Sequence, residues 1–352
     1  MALYFATVLP GLETILESEI RVKITEAKDL RIERGKVFFH SSLPVESFTV
    51  LRTADNLYML IHRFRVGPHK KHLADIQYEI SRLDLSFAVK KRYGGMVRFK
   101  VNASRMGHHT YSRFDAAEAA AKGIARRDSR FREDVAGAHQ VEFRLDIYHE
   151  DSIFAVRLTD ASYRYRSNRR RFTTAALRPT VAHALVWASS PQEEDRFIDP
   201  CCGSGTILSE RLAYPYSQIY GGDLSAEAVE ATIENTGFHE RLEIKHWDAR
   251  NLPIDAAAVD KVITNLPFGR KISAGENIPK LYDDLLREMK RIVKNDGVIL
   301  CLTDAGDAVQ DAVEKLHLSC SPLATLCLKG VYPTLYRLNK GNFHDHIAGI
   351  DG

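Results

Sequence analysis

Four short stretches in the second half of the chain hold the side chains of a possible reaction centre. Asp199-Pro200-Cys201-Cys202-Gly203-Ser204-Gly205-Thr206 follows the apolar pair Phe197-Ile198 and opens a segment through Ile207, Leu208 and Leu212, so it reads as strand, glycine turn and helix. Two glycines at a strand's carboxyl end let backbone amides come close to a bound molecule, and a helix start offers unused N–H groups. The loop lacks the third glycine of a dinucleotide fingerprint and the Gly-Lys-Ser/Thr ending of a P-loop, which argues against NAD and ATP. Asp199 at its head points instead to a ligand that presents a cation. Tyr220-Gly221-Gly222-Asp223 sets a second acid at a strand end about 20 residues on, the spacing at which a carboxylate meets ribose hydroxyls in doubly wound folds. Leu242 to Asp248 offers a third strand with its own acid, and a fourth, Val259 to Thr264, ends in Asn265-Leu266-Pro267-Phe268-Gly269. Any one aspartate is more often a helix cap or turn former. Three at consecutive strand ends, followed by an Asn-x-Pro-Phe turn, suggest a single row of polar groups along one edge of a parallel sheet.

In this order, Asp-Pro-x-x-Gly-Ser-Gly, Asp223, Asp248 and Asn-Leu-Pro-Phe-Gly resemble an S-adenosylmethionine-dependent methyltransferase acting on an exocyclic amine. Leu266 departs from the more common proline at that place and matches the subset that carries THUMP domains. The resemblance implies an RNA guanine-N2 methyltransferase, with likeness strongest to enzymes of the tRNA acceptor stem at position 6. It implies that S-adenosylmethionine is held by Asp199, Cys201, Gly203, Gly205, Asp223, Asp248, Ala249 and Asn265, and that no metal is needed. Ala176-Leu177-Arg178-Pro179 resembles the family's Ala-Pro-Leu-Arg entry segment, with Ala176 in place of its proline, and adds Leu177 to the pocket. Asn265, Leu266, Pro267 and Phe268 become the catalytic set. The Asn265 side-chain oxygen and the Leu266 carbonyl would accept the amine's two hydrogens, Pro267 would fix the backbone, and Phe268 would stack on the base. Other readings stay open: a guanine-N2 enzyme of tRNA position 10 or of ribosomal RNA, an adenine-N6 enzyme of RNA or DNA, and an RNA-binding factor with a vestigial methyltransferase fold.

The elements that must position these residues read as α/β. Leu3–Val8, a helix through Leu12, Ile15, Leu16 and Ile20, two strand pieces around Gly35, a helix through Phe48, Leu51 and Leu57, and the strand Tyr58–Phe64 suggest a ferredoxin-like unit over residues 1–65. Residues 66–160 begin again with a helix, an alternating strand from Met96 to Ala103, an alanine-rich helix to Arg127 and two closing strands. This segment resembles a THUMP domain, whose implied role is to grip the 3′ end of tRNA. Arg105, His108, His109 and Arg113 in and beside its loop are the implied phosphate contacts. Residues 161–175 read as a basic linker, and the resemblance implies that residues 176–340 form the class I methyltransferase domain, a Rossmann-like seven-stranded sheet whose last strand is antiparallel. Residues 341–352 read as a disordered tail.

Charge supports the division. Residues 1–175 carry 31 Lys and Arg against 21 Asp and Glu, and the rest 18 against 25. A basic half that meets a polyanion and an acidic half with another task fit this asymmetry. The linker is the most basic stretch, Tyr163-Arg164-Tyr165-Arg166-Ser167-Asn168-Arg169-Arg170-Arg171-Phe172. Its arginines at 164, 166, 169, 170 and 171, with interleaved aromatics, suit phosphates and unpaired bases. Five cysteines without Cys-x-x-Cys spacing suggest neither disulfides nor zinc. No apolar run reaches the roughly 18 residues of a spanning helix. The expectation is a cytoplasmic RNA enzyme working as a monomer on tRNA, away from membranes.

Overall fold

The computed structural model describes residues 1–89, 95–134, 137–160, 162–166, 171, 176–268, 277–328 and 330–341. The amino-terminal part comprises β1 (Ala2–Thr7), α1 (Glu13–Lys23), β2 (Lys28–Glu33), β3 (Lys36–Ser41), β4 (Asn56–Arg65), α2 (Leu73–Ser81), β5 (Val97–Met106), α3 (Arg113–Arg127), β6 (Phe131–Glu133), β7 (Val141–Tyr148) and β8 (Asp151–Arg157). These strands form one eight-stranded sheet in the order β2-β3-β1-β4-β8-β7-β5-β6. The first four strands have the neighbours a ferredoxin-like unit requires. The helix predicted through Phe48, Leu51 and Leu57 does not form: Phe48 lies in a short 3-10 turn, Val45–Val50, and Leu57 already belongs to β4. So short a segment leaves room for little more than a turn or two before the chain must re-enter the sheet.

The two amino-terminal segments share a sheet because β4 pairs antiparallel with β8, from Tyr58 opposite Arg157 to Arg65 opposite Asp151. In β5, Val97, Phe99 and Val101 are buried on one face, packing with α2 and α3, while Arg98 and Lys100 are exposed. α3 begins at a capping box in which the Ser112 hydroxyl accepts from Asp115 N and the Asp115 carboxylate accepts from Ser112 N. That cap fixes where the Arg105–Tyr111 loop ends.

The second part comprises α4 (Pro179–Ala188), β9 (Arg196–Asp199), α5 (Thr206–Arg211), β10 (Gln218–Asp223), α6 (Ala226–Thr236), β11 (Leu242–His246), β12 (Val259–Asn265), α7 (Ile278–Ile292), β13 (Val293–Thr303), α8 (Gly306–Leu316), β14 (Ser319–Thr325) and β15 (Thr334–Asn339). Its seven strands run β11-β10-β9-β12-β13-β15-β14, and β15 is antiparallel to both neighbours. The expected Rossmann-like sheet with an antiparallel last strand is therefore present. The order reverses between β9 and β12, which places a ligand crevice at their carboxyl ends. Beyond Gly341, the tail predicted over residues 341–352 lies outside the described residues.

A buried polar knot fixes the two parts to each other. Glu19 on α1, fully buried, accepts from Lys23 and from the backbone N–H groups of Arg52 and Thr53. Arg52 and Arg166 both reach the fully buried Glu210 on α5. Burial holds His183, between Thr53 and Tyr214, neutral with a pKa of about 2. The sequence pattern assigns Arg166 to RNA. Its guanidinium instead turns inward to Glu210 and to the Tyr163 and Arg52 carbonyls, because a buried carboxylate strongly favours a charged partner.

Candidate active site

The glycine loop is built as the sequence requires. Gly203 and Gly205 adopt φ of +54° and +75°, and a Cβ on Gly205 would sit 2.8 Å from the Thr232 methyl, so glycine is needed there twice over. Thr232 on α6 donates to Gly203 O at 2.8 Å. One turn on, the Asn235 amide donates to Ser204 O at 2.8 Å and brackets Arg171 through that residue's N–H and carbonyl. α6 thus backs the loop from outside and ties one linker residue to it. Sequence reasoning missed both side chains, whose spacing looks like any helix surface. Trp247 closes the inner side, its indole N–H donating to Pro200 O at 3.0 Å, and a Cβ on Gly222 would meet its ring at 2.4 Å.

The three acids differ. Asp199 ends β9 and is 1% exposed; one oxygen accepts weakly from Cys201 N at 3.3 Å, and Oδ2 has no hydrogen-bond partner. Burial raises its carboxyl to about 7, with the Asp223 charge adding to the rise and the nearby Thr264 hydroxyl opposing it. Asp223 ends β10 and accepts from Gly203 N at 2.9 Å and Ser225 N at 3.0 Å, so it clasps the loop while staying partly accessible. The sequence pattern puts Asp248 at a strand end, but β11 stops at His246 and Asp248 lies two residues beyond. There it forms a two-oxygen pair with Arg250, which holds its carboxyl below the ordinary range. Ala249 beside it is buried. Leu177 is half-buried and packs on the core that contains Cys202 and Ile207. Burial pushes the Cys201 thiol well up, and the half-buried side chain packs against the core that contains Ile198 and Trp247.

Asn265 ends β12, the strand beside β9, and its Oδ1 is buried without a partner. Ser204 Oγ is in the same condition, and Thr264 Oγ1, near the Asp199 carboxyl, makes no contact of hydrogen-bond length. Such orphans are uncommon in folded proteins, and four of them gather at the β9 and β12 ends and the glycine loop. A ligand with a cation for Asp199 and N–H groups for Asn265 would satisfy them. Leu266 is buried, with its N–H donating to Leu302 O, whereas Pro267 and Phe268 remain partly accessible. Gly269, Arg270, Lys271 and Gly275 lie outside the described residues, as do Arg169 and Arg170. Among the described residues no cluster of three His, Cys, Asp or Glu side chains could hold a metal ion.

On the amino-terminal part, Arg105, His108 and Arg113 are exposed at the β5–α3 loop, while His109 hydrogen-bonds the His149 carbonyl. The structure adds residues the sequence reading did not name. Lys70 and Lys71 are exposed beside this loop, Lys70 N donating to Thr110 Oγ1, and Phe114 is 70% exposed with the Arg113 guanidinium over its ring. Arg164 is stacked on Tyr165, and Arg171 pairs with Glu227 and Glu234.

The chain is similar to known proteins along most of its length. The UPF0020 family model, described as an RMKL-like methyltransferase domain, matches residues 166–214 and 208–333. The tRNA (guanine(6)-N2)-methyltransferase of Methanocaldococcus jannaschii is 24% identical over 360 residues, covering 89% of this chain and 93% of that protein. The protein of the same description from Thermus thermophilus is 28% identical over 346 residues, covering 95% and 98%. The crystal structure of TrmN from Thermus thermophilus superposes with a TM-score of 0.80 at 24% identity, covering 97% of this chain and all of that one, which shows a shared fold.

Proposed function

We propose, from the premise that this chain is a class I S-adenosylmethionine-dependent methyltransferase with a UPF0020 methyltransferase domain, that it methylates the exocyclic N2 of a guanosine in tRNA, at position 6 of the acceptor stem. The reading rests on the pair of unpartnered buried oxygens, Asp199 Oδ2 and Asn265 Oδ1, on adjacent strand ends. Two relatives aligned over nearly the whole chain, each described as a tRNA (guanine(6)-N2)-methyltransferase, support the choice of base and position.

The bound cofactor supplies an electrophilic methyl on a sulfonium. Asp199 and the loop amides of Gly203 and Gly205 would hold its methionine end, Asp223 its ribose, and the Asp248–Ala249 segment its adenine. An exocyclic amine is a weak nucleophile because its lone pair is delocalised into the ring. Asn265 Oδ1 and the Leu266 carbonyl would accept its two hydrogens, aim the lone pair and take up positive charge as the bond forms. Phe268 offers a face for the extruded base, and stacking offsets the few kcal/mol of unstacking. Residues 1–160 would hold the tRNA 3′ end through Arg105, His108, Arg113, Lys70 and Lys71, with Phe114 as a stacking surface. The enzyme needs no metal in this scheme, acts as a monomer, and works in the cytoplasm, where its substrate is.

A tRNA carrying inosine in place of guanosine 6 lacks only the N2 amine and tests the assignment. It should bind with unchanged affinity and accept no methyl group. Full methylation of the inosine transcript would move the target to another nucleotide.

A further inference from the structure

Among the described residues, two hydrogen bonds tether the turn that carries the catalytic set. One is the Leu266 N–H, which donates to Leu302 O at 3.1 Å. The other comes from Tyr282 on α7, a fully buried residue whose hydroxyl lies 3.0 Å from Pro267 O and 2.6 Å from Thr303 Oγ1. Ala305 N in turn donates to Thr303 Oγ1 at 3.0 Å. The direction of this chain is fixed by its end. A carbonyl can only accept, so the Tyr282 proton goes to Pro267 O, the Thr303 proton to the Tyr282 oxygen, and the Ala305 proton to Thr303. Each bond polarises the next, and a buried chain of uniform polarity is stiffer than its links taken singly.

The Leu266 carbonyl lies between the two tethers, and Phe268 follows directly after the second. Proline at 267 has no N–H with which to anchor itself, so the peptide between Pro267 and Phe268 is held by its carbonyl. We propose that Tyr282 is a positioning residue for methyl transfer: its hydroxyl, backed by Thr303, aims the Leu266 carbonyl and the Phe268 ring at the target base. This rests on the amine-methylation reading above. A purely structural tyrosine would fill the core formed with Leu266, Leu285 and Met289, and phenylalanine would do that equally well.

The test is Tyr282→Phe, which keeps the ring and removes only the hydroxyl. Misplacing reacting groups by about 1 Å can cost roughly a hundredfold in rate. The expected result is a kcat lowered between about tenfold and a hundredfold, with the KM for tRNA and the cofactor Kd changed by less than about threefold. Thr303→Val should lower kcat by a smaller factor, and Thr303→Ser, which keeps the hydroxyl, should restore it. A Tyr282→Phe kcat within about twofold of wild type, or an equal loss for Thr303→Val and Thr303→Ser, would overturn the role while leaving the function in place. A wild-type protein that binds cofactor and methylates no guanosine would overturn both together.

Discussion

The two sheets differ in where buried polar atoms go unpaired: at positions such as Ser152 Oγ in the amino-terminal sheet, and in a group along one edge of the other. In the amino-terminal sheet, charges that lie at or near the interior are matched: Asp146 holds Arg144 and Lys36, and Glu142 holds Arg157 and Asn102. One group of its exposed cations sits at a loop edge, around Arg105, Arg113, Lys70 and Lys71. In the carboxyl-terminal sheet, Asp199, Ser204, Thr264 and Asn265 keep buried oxygens without partners along a single edge. Leaving a buried polar atom unpaired costs about 1–3 kcal/mol, and a fold that tolerates several in one place holds them for something it binds. Specific chemistry needs few groups, desolvated and aimed; holding a polyanion needs many, solvated and loosely placed.

The carboxyl-terminal edge is most sensitive at Asn265. Asn265→Ala should lower transfer by about a hundredfold to a thousandfold, the scale seen when a site loses an oriented polar group that acts in the transition state, with the cofactor Kd within about threefold. An activity near wild type would show that the unpaired oxygen serves no reacting amine.

Asp199 gives the next largest effect, and its sign follows from burial. A carboxyl raised to about 7 is protonated below that pH in the free protein and charged above it. A cationic ligand binds the charged form, so cofactor affinity should fall about tenfold per pH unit below 7 and level off above it. The same shift makes the folded protein without cofactor lose stability as pH rises from about 4, the ordinary value of a carboxyl, to about 7. Asp199→Asn should flatten both profiles. Calorimetric titration from about one and a half pH units below that pKa to the same distance above it reads the first; a Kd independent of pH in the wild-type protein would remove Asp199 from the cofactor's cationic end.

The smallest effect belongs to the basic edge. Arg105→Ala with Arg113→Ala should lower the slope of log affinity against log salt by up to about 1.4, at about 0.7 per single-strand phosphate contact, and leave kcat at saturating RNA unchanged. Arg166→Ala should change the slope little and lower the melting temperature instead, since the buried Glu210 would lose one of its two guanidinium partners. An unchanged slope in the double variant would shift the RNA contacts away from this loop.

Legibility in the sequence follows the same division. The glycine loop, Asp223 and the Asn-Leu-Pro-Phe turn can be read because each is a local backbone device whose residues are adjacent in the chain. Strands and helices in alternation make the α/β sheet legible, and its seven strands come from the family resemblance. Thr232, Asn235, Trp247 and Tyr282 cannot be read, since each reaches the site across the fold from a position that looks like ordinary helix face or core. Arg166 misleads because density of arginine says nothing of where one guanidinium turns; Glu210, 44 residues later, decides that. The turn at Val45–Val50 imitates a helix because Phe48 and Leu51 are spaced as a helix would space them, while both pack against the first core from a turn and a loop.

The most direct measurement is transfer of labelled methyl from S-adenosylmethionine to small RNA from cells that lack this gene, followed by digestion to nucleosides. Label should appear in N2-methylguanosine and map to the acceptor stem of tRNA. Label in N6-methyladenosine, or none despite cofactor binding, would contradict guanosine methylation by this chain.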